Sequence, residues 1–80
     1  MNVDSLVTMA NQIADFFVAE AGFDVAPQEI ASHITKFWDP RMRTQIIAHA
    51  AAGGAGLSPA AMAAARTLQP PVAKAASAAV

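Results

Sequence analysis

Cysteine is absent from this 80-residue chain, and only 14% of its residues are charged. Without cysteine there is no disulfide to staple a small fold and no thiolate to ligate a metal. The low charge content, with a mean hydropathy of +0.37, excludes a charge-driven disordered chain. No apolar stretch approaches the roughly 20 residues that span a bilayer. The opening Met-Asn-Val-Asp-Ser lacks the basic start of a secretory signal. A cytoplasmic protein with no membrane contact is the expectation.

Large apolar side chains are also few. Hydrophobic residues make up 55% of the chain, but 21 of those 44 are alanine. At roughly 1.5–3 kcal/mol per fully buried large side chain, the remaining 23 make a thin core. A chain of this length buries only about 60% of its unfolded surface. One small domain that completes its core on a partner is therefore expected.

Charge is unevenly placed. Residues 1–40 hold all six acids and a single base, Lys36, for a net −5. Residues 41–80 hold Arg41, Arg43, Arg66 and Lys74 and no acid, for a net +4. Either the two halves pair within the chain, or the molecule is polar and docks in a fixed orientation.

Start and stop signals define four helices. The first opens at Asp4 as N-cap and ends near Gly22. Leu6, Met9, Ala10, Ile13 and Phe17 recur at helical spacing on one face, with Thr8, Asn11, Gln12 and Asp15 opposite. Phe16 flanks that face, and Val7, Ala14 and Val18 form a second strip, so burial on two sides is expected. The second helix starts at Pro27, with Ile30, Ile34 and Phe37 as its core stripe and His33 and Trp38 on its flanks. Asp39-Pro40 ends it and caps the third, whose Met42, Ile46, His49 and Ala50 share a face up to Gly53-Gly54. Ser58-Pro59 starts a fourth helix running to about Gln69, with Leu57 and Met62 at staple spacing. No strand-like alternation occurs. The expected fold is an all-α bundle of three to four short helices over residues 1–71, with a flexible alanine-rich tail at 72–80.

Catalytic and metal-binding patterns are missing. The two histidines stand 16 residues apart without ligand spacing. His49 suits the negative end of a helix dipole, and His33 an edge of the core. No serine sits in a nucleophile elbow, with Ser58 better explained as a cap. Gly53-Gly54-Ala55-Gly56 follows a helix, not a strand, and lacks Gly-Lys-Ser/Thr, so it reads as a flexible turn rather than a phosphate loop. No catalytic, cofactor-binding or metal-ligating residue is expected in this chain.

One segment breaks a local rule. Arg41 and Arg43 fall in the first turn of the third helix, where cations oppose the macrodipole. Trp38 stands just before the cap at Asp39. Arg43 could stack on Trp38 and Arg41 pair with Asp39, or the cluster could be a partner hot spot, since Trp and Arg are enriched in those.

The run Lys36-Phe37-Trp38-Asp39-Pro40-Arg41-Met42-Arg43 also carries a family likeness. With His33 just ahead of it, Met9-Ala-Asn-Gln-Ile-Ala-Asp-Phe-Phe17 before it and Gly53-Gly-Ala-Gly-Leu-Ser-Pro59 after it, the chain resembles the small delta subunit of cytoplasmic NAD-dependent, molybdenum-containing formate dehydrogenases. The three blocks span most of residues 9–59, and the middle one is the most specific. Beyond Pro59 the family pattern has larger aliphatics, whereas Ala60, Ala61, Ala63, Ala64 and Ala65 follow here. The resemblance implies a non-catalytic subunit supporting assembly, cofactor maturation or quaternary stability. Molybdopterin, iron–sulfur clusters, FMN and the NAD site would belong to the other subunits, the catalytic subunit being the partner. It assigns contact roles to Lys36, Trp38, Asp39, Arg41 and Arg43. On this view Phe37, Ile30, Ile34, Met42 and Ile46 join the two middle helices and present Trp38 to an apolar pocket and the arginines to carboxylates.

Two other readings compete. A helix-turn-helix nucleic-acid binder would use the Asp-Pro junction and the two arginines, but a pI of about 6.0 argues against a phosphate-binding face. A free-standing homodimer would show concentration-dependent helicity.

Overall fold

Four N-terminal signals set where the helices of the computed structural model begin; it describes residues 2–70. α1 spans Val3–Ala21, and its cap is Asn2, whose Oδ1 accepts the Ser5 N–H at 2.9 Å. Asp4, expected as the cap, lies instead in the first turn, where its charge suits the positive end of the dipole. Gly22 ends the helix at φ +86°. α2 spans Ala26–Phe37, one residue earlier than Pro27 predicts, with Val25 at the cap position and no side-chain cap. α3 spans Pro40–Ala51, capped by Asp39 Oδ1, which accepts the Met42 N–H at 2.9 Å. α4 spans Pro59–Thr67 and is capped by Ser58; it stops short of Gln69, with Leu68 extended at its end. The described residues contain no strand, so the fold is all-α. The tail expected at 72–80 lies outside the described residues, as does residue 71.

Alanine organises the interior. α4 buries Ala60, Ala61, Ala64 and Ala65, then Leu68 just beyond it. These positions make two adjacent strips, so one nine-residue helix has a buried face wide enough to pack on α1, α2 and α3 together. Alone it is too short to persist in water, and its stability comes from this packing. On α1 the facing strip is Leu6, Ala10 and Ala14. The face read from the sequence is therefore rotated: Met9, Ile13 and Phe17 pack at its edge rather than its centre. Among the described residues, the large side chains fully enclosed are Leu6, Ile30, Ile34 and Ile46, in keeping with a thin core.

The two middle helices are not joined to each other as expected. α2 and α3 each pack on α1 and α4 but scarcely on one another. A helix-turn-helix pair depends on that missing contact.

The glycine turn between α3 and α4 is built rather than loose. The Gly54 N–H donates to the His49 carbonyl at 2.8 Å, and the Gly54 carbonyl accepts the Leu57 N–H at 2.9 Å. Gly54 is buried at φ +66°, and a Cβ there would collide with the Met62 thioether and touch Leu57. Leu57 and Met62 thus converge over this glycine, in keeping with their staple spacing.

Two outcomes follow for stability, both readable by denaturant unfolding followed by helical circular dichroism. Ala64→Leu should cost about 1–3 kcal/mol through overpacking, although leucine favours helix and raises hydrophobicity. Gly54→Ala should cost at least about 1 kcal/mol, because strain at positive φ adds to the Met62 clash.

Candidate docking surface

The α2–α3 junction sorts the residues at 36–43 by exposure. Phe37, expected in the core, is 72% exposed, whereas Trp38, expected on a flank or in a partner's pocket, is only 5% exposed. A helical wheel does not extend to Trp38, which lies past the last helical residue. Trp38 is the C-cap and turns extended (φ −89°, ψ 142°), which swings its indole back under the bundle. Phe37, the last helical residue, is left outside.

Arg43 does not need Trp38's ring. Its Nη1 donates to the Trp38 carbonyl oxygen at 2.9 Å. That carbonyl lies at the negative end of α2, so a cation misplaced for α3 is well placed for the preceding helix. Asp39 Oδ1 is engaged by the Met42 amide of α3. Arg41 is exposed and lines a notch of about 140 Å³ with Asp39, Met42 and Gln45. Lys36 is exposed as well. Among the five residues given contact roles, Lys36, Asp39 and Arg41 are thus exposed, Arg43 is partly buried, and Trp38 is a core residue.

Two other features escape a one-dimensional reading. Asn11, assigned to the solvent face, is half-buried and clamps the turn before α4. Its Nδ2 donates to the Gly56 carbonyl at 2.9 Å, and its Oδ1 accepts the Ser58 N–H at 2.8 Å. Only the tertiary approach of residues 45 and 47 positions away gives it these partners. His49 Nε2 lies 2.8 Å from the Ala55 carbonyl oxygen, closing the same turn from the other side.

Aromatic rings form a surface across α1 and α2. Phe16 is 57% exposed and meets Phe17 edge-on, with centroids 5.0 Å apart at 78°. The Phe17 and His33 rings are 6.1 Å apart, and His33 tilts against Phe37 at 4.7 Å. His33 is therefore part of an aromatic row rather than an edge-of-core residue alone. A separate apolar cleft of about 330 Å³ is lined by Val18, Ala19, Phe23, Pro59 and neighbouring residues. Among the described residues, no group of three or more His, Asp or Glu could hold a metal ion, and no helix is long and apolar enough to cross a membrane.

Opposite outcomes are expected for the two aromatic neighbours. Trp38→Ala should cost about 3–5 kcal/mol of folding stability, enough to unfold most of a marginal domain. Phe37→Ala should change stability by no more than about 0.5 kcal/mol. Parallel urea titrations of the two variants make the comparison.

No curated protein and no solved structure matches the chain. The family model described as NADH-dependant formate dehydrogenase delta subunit FdsD matches residues 5–65, which take in most of α1, all of α2 and α3 and most of α4, with the junction and the clamped turn between them. With well over half of its length matched, the chain belongs to the formate dehydrogenase delta subunit family.

Proposed function

We propose that this chain is a non-catalytic accessory subunit that seats on the catalytic subunit of a cytoplasmic NAD-dependent formate dehydrogenase and supports its assembly, cofactor maturation or quaternary stability. The observation that favours this most is where its large apolar groups stand. The interior is filled largely by alanine, yet Phe16, Phe23, Val25 and Phe37 are 40–72% exposed. Exposed apolar surface of this kind marks interaction sites in soluble proteins. Molybdopterin, iron–sulfur clusters, FMN and the NAD site belong, on this reading, to the other subunits. This chain has no cysteine with which to ligate a cluster.

Arg41 is the charged residue best suited to a partner carboxylate. It stands in the first turn of α3, where it weakens its own helix, and it is exposed beside Asp39 and Gln45. Lys36 and Asp39 flank the same junction. Arginine pairs with carboxylates in a bidentate manner, which fixes orientation as well as adding affinity.

The test is co-purification of the tagged chain with the formate dehydrogenase subunits co-expressed beside it. The catalytic subunit should come along in fixed ratio. Arg41→Glu should raise the stability of the isolated chain by about 0.3–1 kcal/mol, because an acid suits that helix position. It should nevertheless reduce recovery of the catalytic subunit. Undiminished recovery would remove Arg41 from the interface, and no recovery by the unaltered chain would refute the accessory role.

A further inference from the structure

We infer that the Phe16–Phe17–His33–Phe37 row is the main docking face of this subunit, and that its occupant is an amphipathic helix of the catalytic partner with basic residues at one end and acidic residues at the other. This rests on the accessory-subunit reading and adds to it the surface and the chemistry that fits it.

The row lies along a pair of helices. α1 and α2 are joined by four residues and pack together, and a connection that short makes antiparallel neighbours. The four rings run from the C-terminal half of α1 to the C-terminal end of α2, and each meets the next. Such a strip along two helices is the kind of surface on which a third helix lays its apolar face, with anchors at i, i+3, i+4 and i+7. Among the described residues, the core includes Trp38 and the isoleucines of α2 but neither of the two most exposed rings.

Charge gives the occupant its polarity. Glu20 follows Phe16 by four positions and Phe17 by three, while Glu29 precedes His33 by four; both are exposed and both lie next to the α1–α2 turn. Residues at such spacing are neighbours on a helix surface. Lys36 follows His33 by three positions at the other end of the row and is exposed too. The row thus has two exposed acids at the turn, whereas at the α2 C-terminus the exposed bases Lys36 and Arg41 outnumber the one exposed acid, Asp39. An occupant with the reverse order is attracted in one direction and repelled in the other.

A second copy of this chain, turned end for end, would satisfy the same charges, but area disfavours it. Phe16 at 57% and Phe37 at 72% exposure offer roughly 250 Å² per copy if each side chain spans roughly 200 Å². Two copies would then bury roughly 500 Å², against about 1,000 Å² for a specific interface. A larger partner can add contacts outside the row, for instance at Arg41.

The experiment co-expresses the tagged chain with the formate dehydrogenase subunits and compares three forms: unaltered, Phe16→Ser with Phe37→Ser, and Glu20→Lys with Glu29→Lys. Both altered forms should keep the helicity of the unaltered chain and stay close to it in stability. In the lysine pair, the cost of lysine for Glu29 in the first turn of α2 is offset by its gain for Glu20 in the last turn of α1. The serine pair should lose tenfold or more of the recovered catalytic subunit. The lysine pair should lose several-fold at low salt and regain part of it at 0.5 M salt. A photo-cross-linking residue in place of Phe37 should capture a peptide of the catalytic subunit with acidic residues beside the link.

Recovery by the serine pair equal to the unaltered chain overturns the docking face and leaves the accessory role standing. A concentration-dependent dimer of the isolated chain that the serine pair abolishes assigns the face to a second copy and overturns the inference. Capture of a peptide basic at the Phe37 end overturns the stated polarity. Failure of the unaltered chain to recover any formate dehydrogenase subunit overturns both the face and the role.

Discussion

The close approach of helices through alanine is the constraint on which the rest of this structure depends. Ala60, Ala61, Ala64 and Ala65 bring α4 against three helices at once, and Ala10 and Ala14 are buried on α1. Small side chains allow short interaxial distances but bury little area each, so this core cannot be strong by hydrophobic transfer alone. Its few large members, Leu6, Ile30, Ile34, Ile46, Trp38 and Leu68, then have disproportionate weight. The same closeness leaves no room inside for more rings. Phe16 and Phe37 remain on the surface, over an interior largely of alanine.

The α2–α3 junction shows how a local conflict is resolved at the next level of structure. Two arginines in the first turn of α3 oppose its dipole. Arg43 reaches back to the Trp38 carbonyl, so its charge faces the end of α2, where it is favourable. Arg41 has no such assignment and stands in solvent. A residue that breaks a local preference without a compensating contact among the described residues is a natural candidate for a contact with another chain. Structure thus divides one sequence cluster into a stabilising member, a core member and exposed members.

The matched family region also acquires a physical meaning. Asn11 in the first sequence block clamps Gly56 and Ser58 in the third through two hydrogen bonds. Gly54 beneath Met62 and His49 on Ala55 complete that turn. These contacts hold the start of α4, and α4 holds the bundle. The middle block supplies the junction. Blocks that look separate along the chain are therefore parts of one arrangement that fixes where α4 sits.

Helix number, most boundaries and the all-α class were legible in the sequence, because proline, glycine and the caps act within a few residues. Asp39-Pro40, Ser58-Pro59 and Gly22 each act where local chemistry places them. The likeness of residues 9–59 to the delta subunit was legible for the same reason, being carried by contiguous runs. Faces were harder. Asn11 looked like a solvent residue because its partners lie more than forty positions away, and α1 looked centred on Met9 and Phe17 because the alanines of α4 could not be placed against it. Trp38 and Phe37 exchanged places because a single extended residue at a helix end reverses which side chain points inward. By itself the sequence determined where helices start and stop, through interactions of short range. Only the tertiary structure decided which aromatic is core and which is surface, because that depends on how closely alanine lets four helices meet.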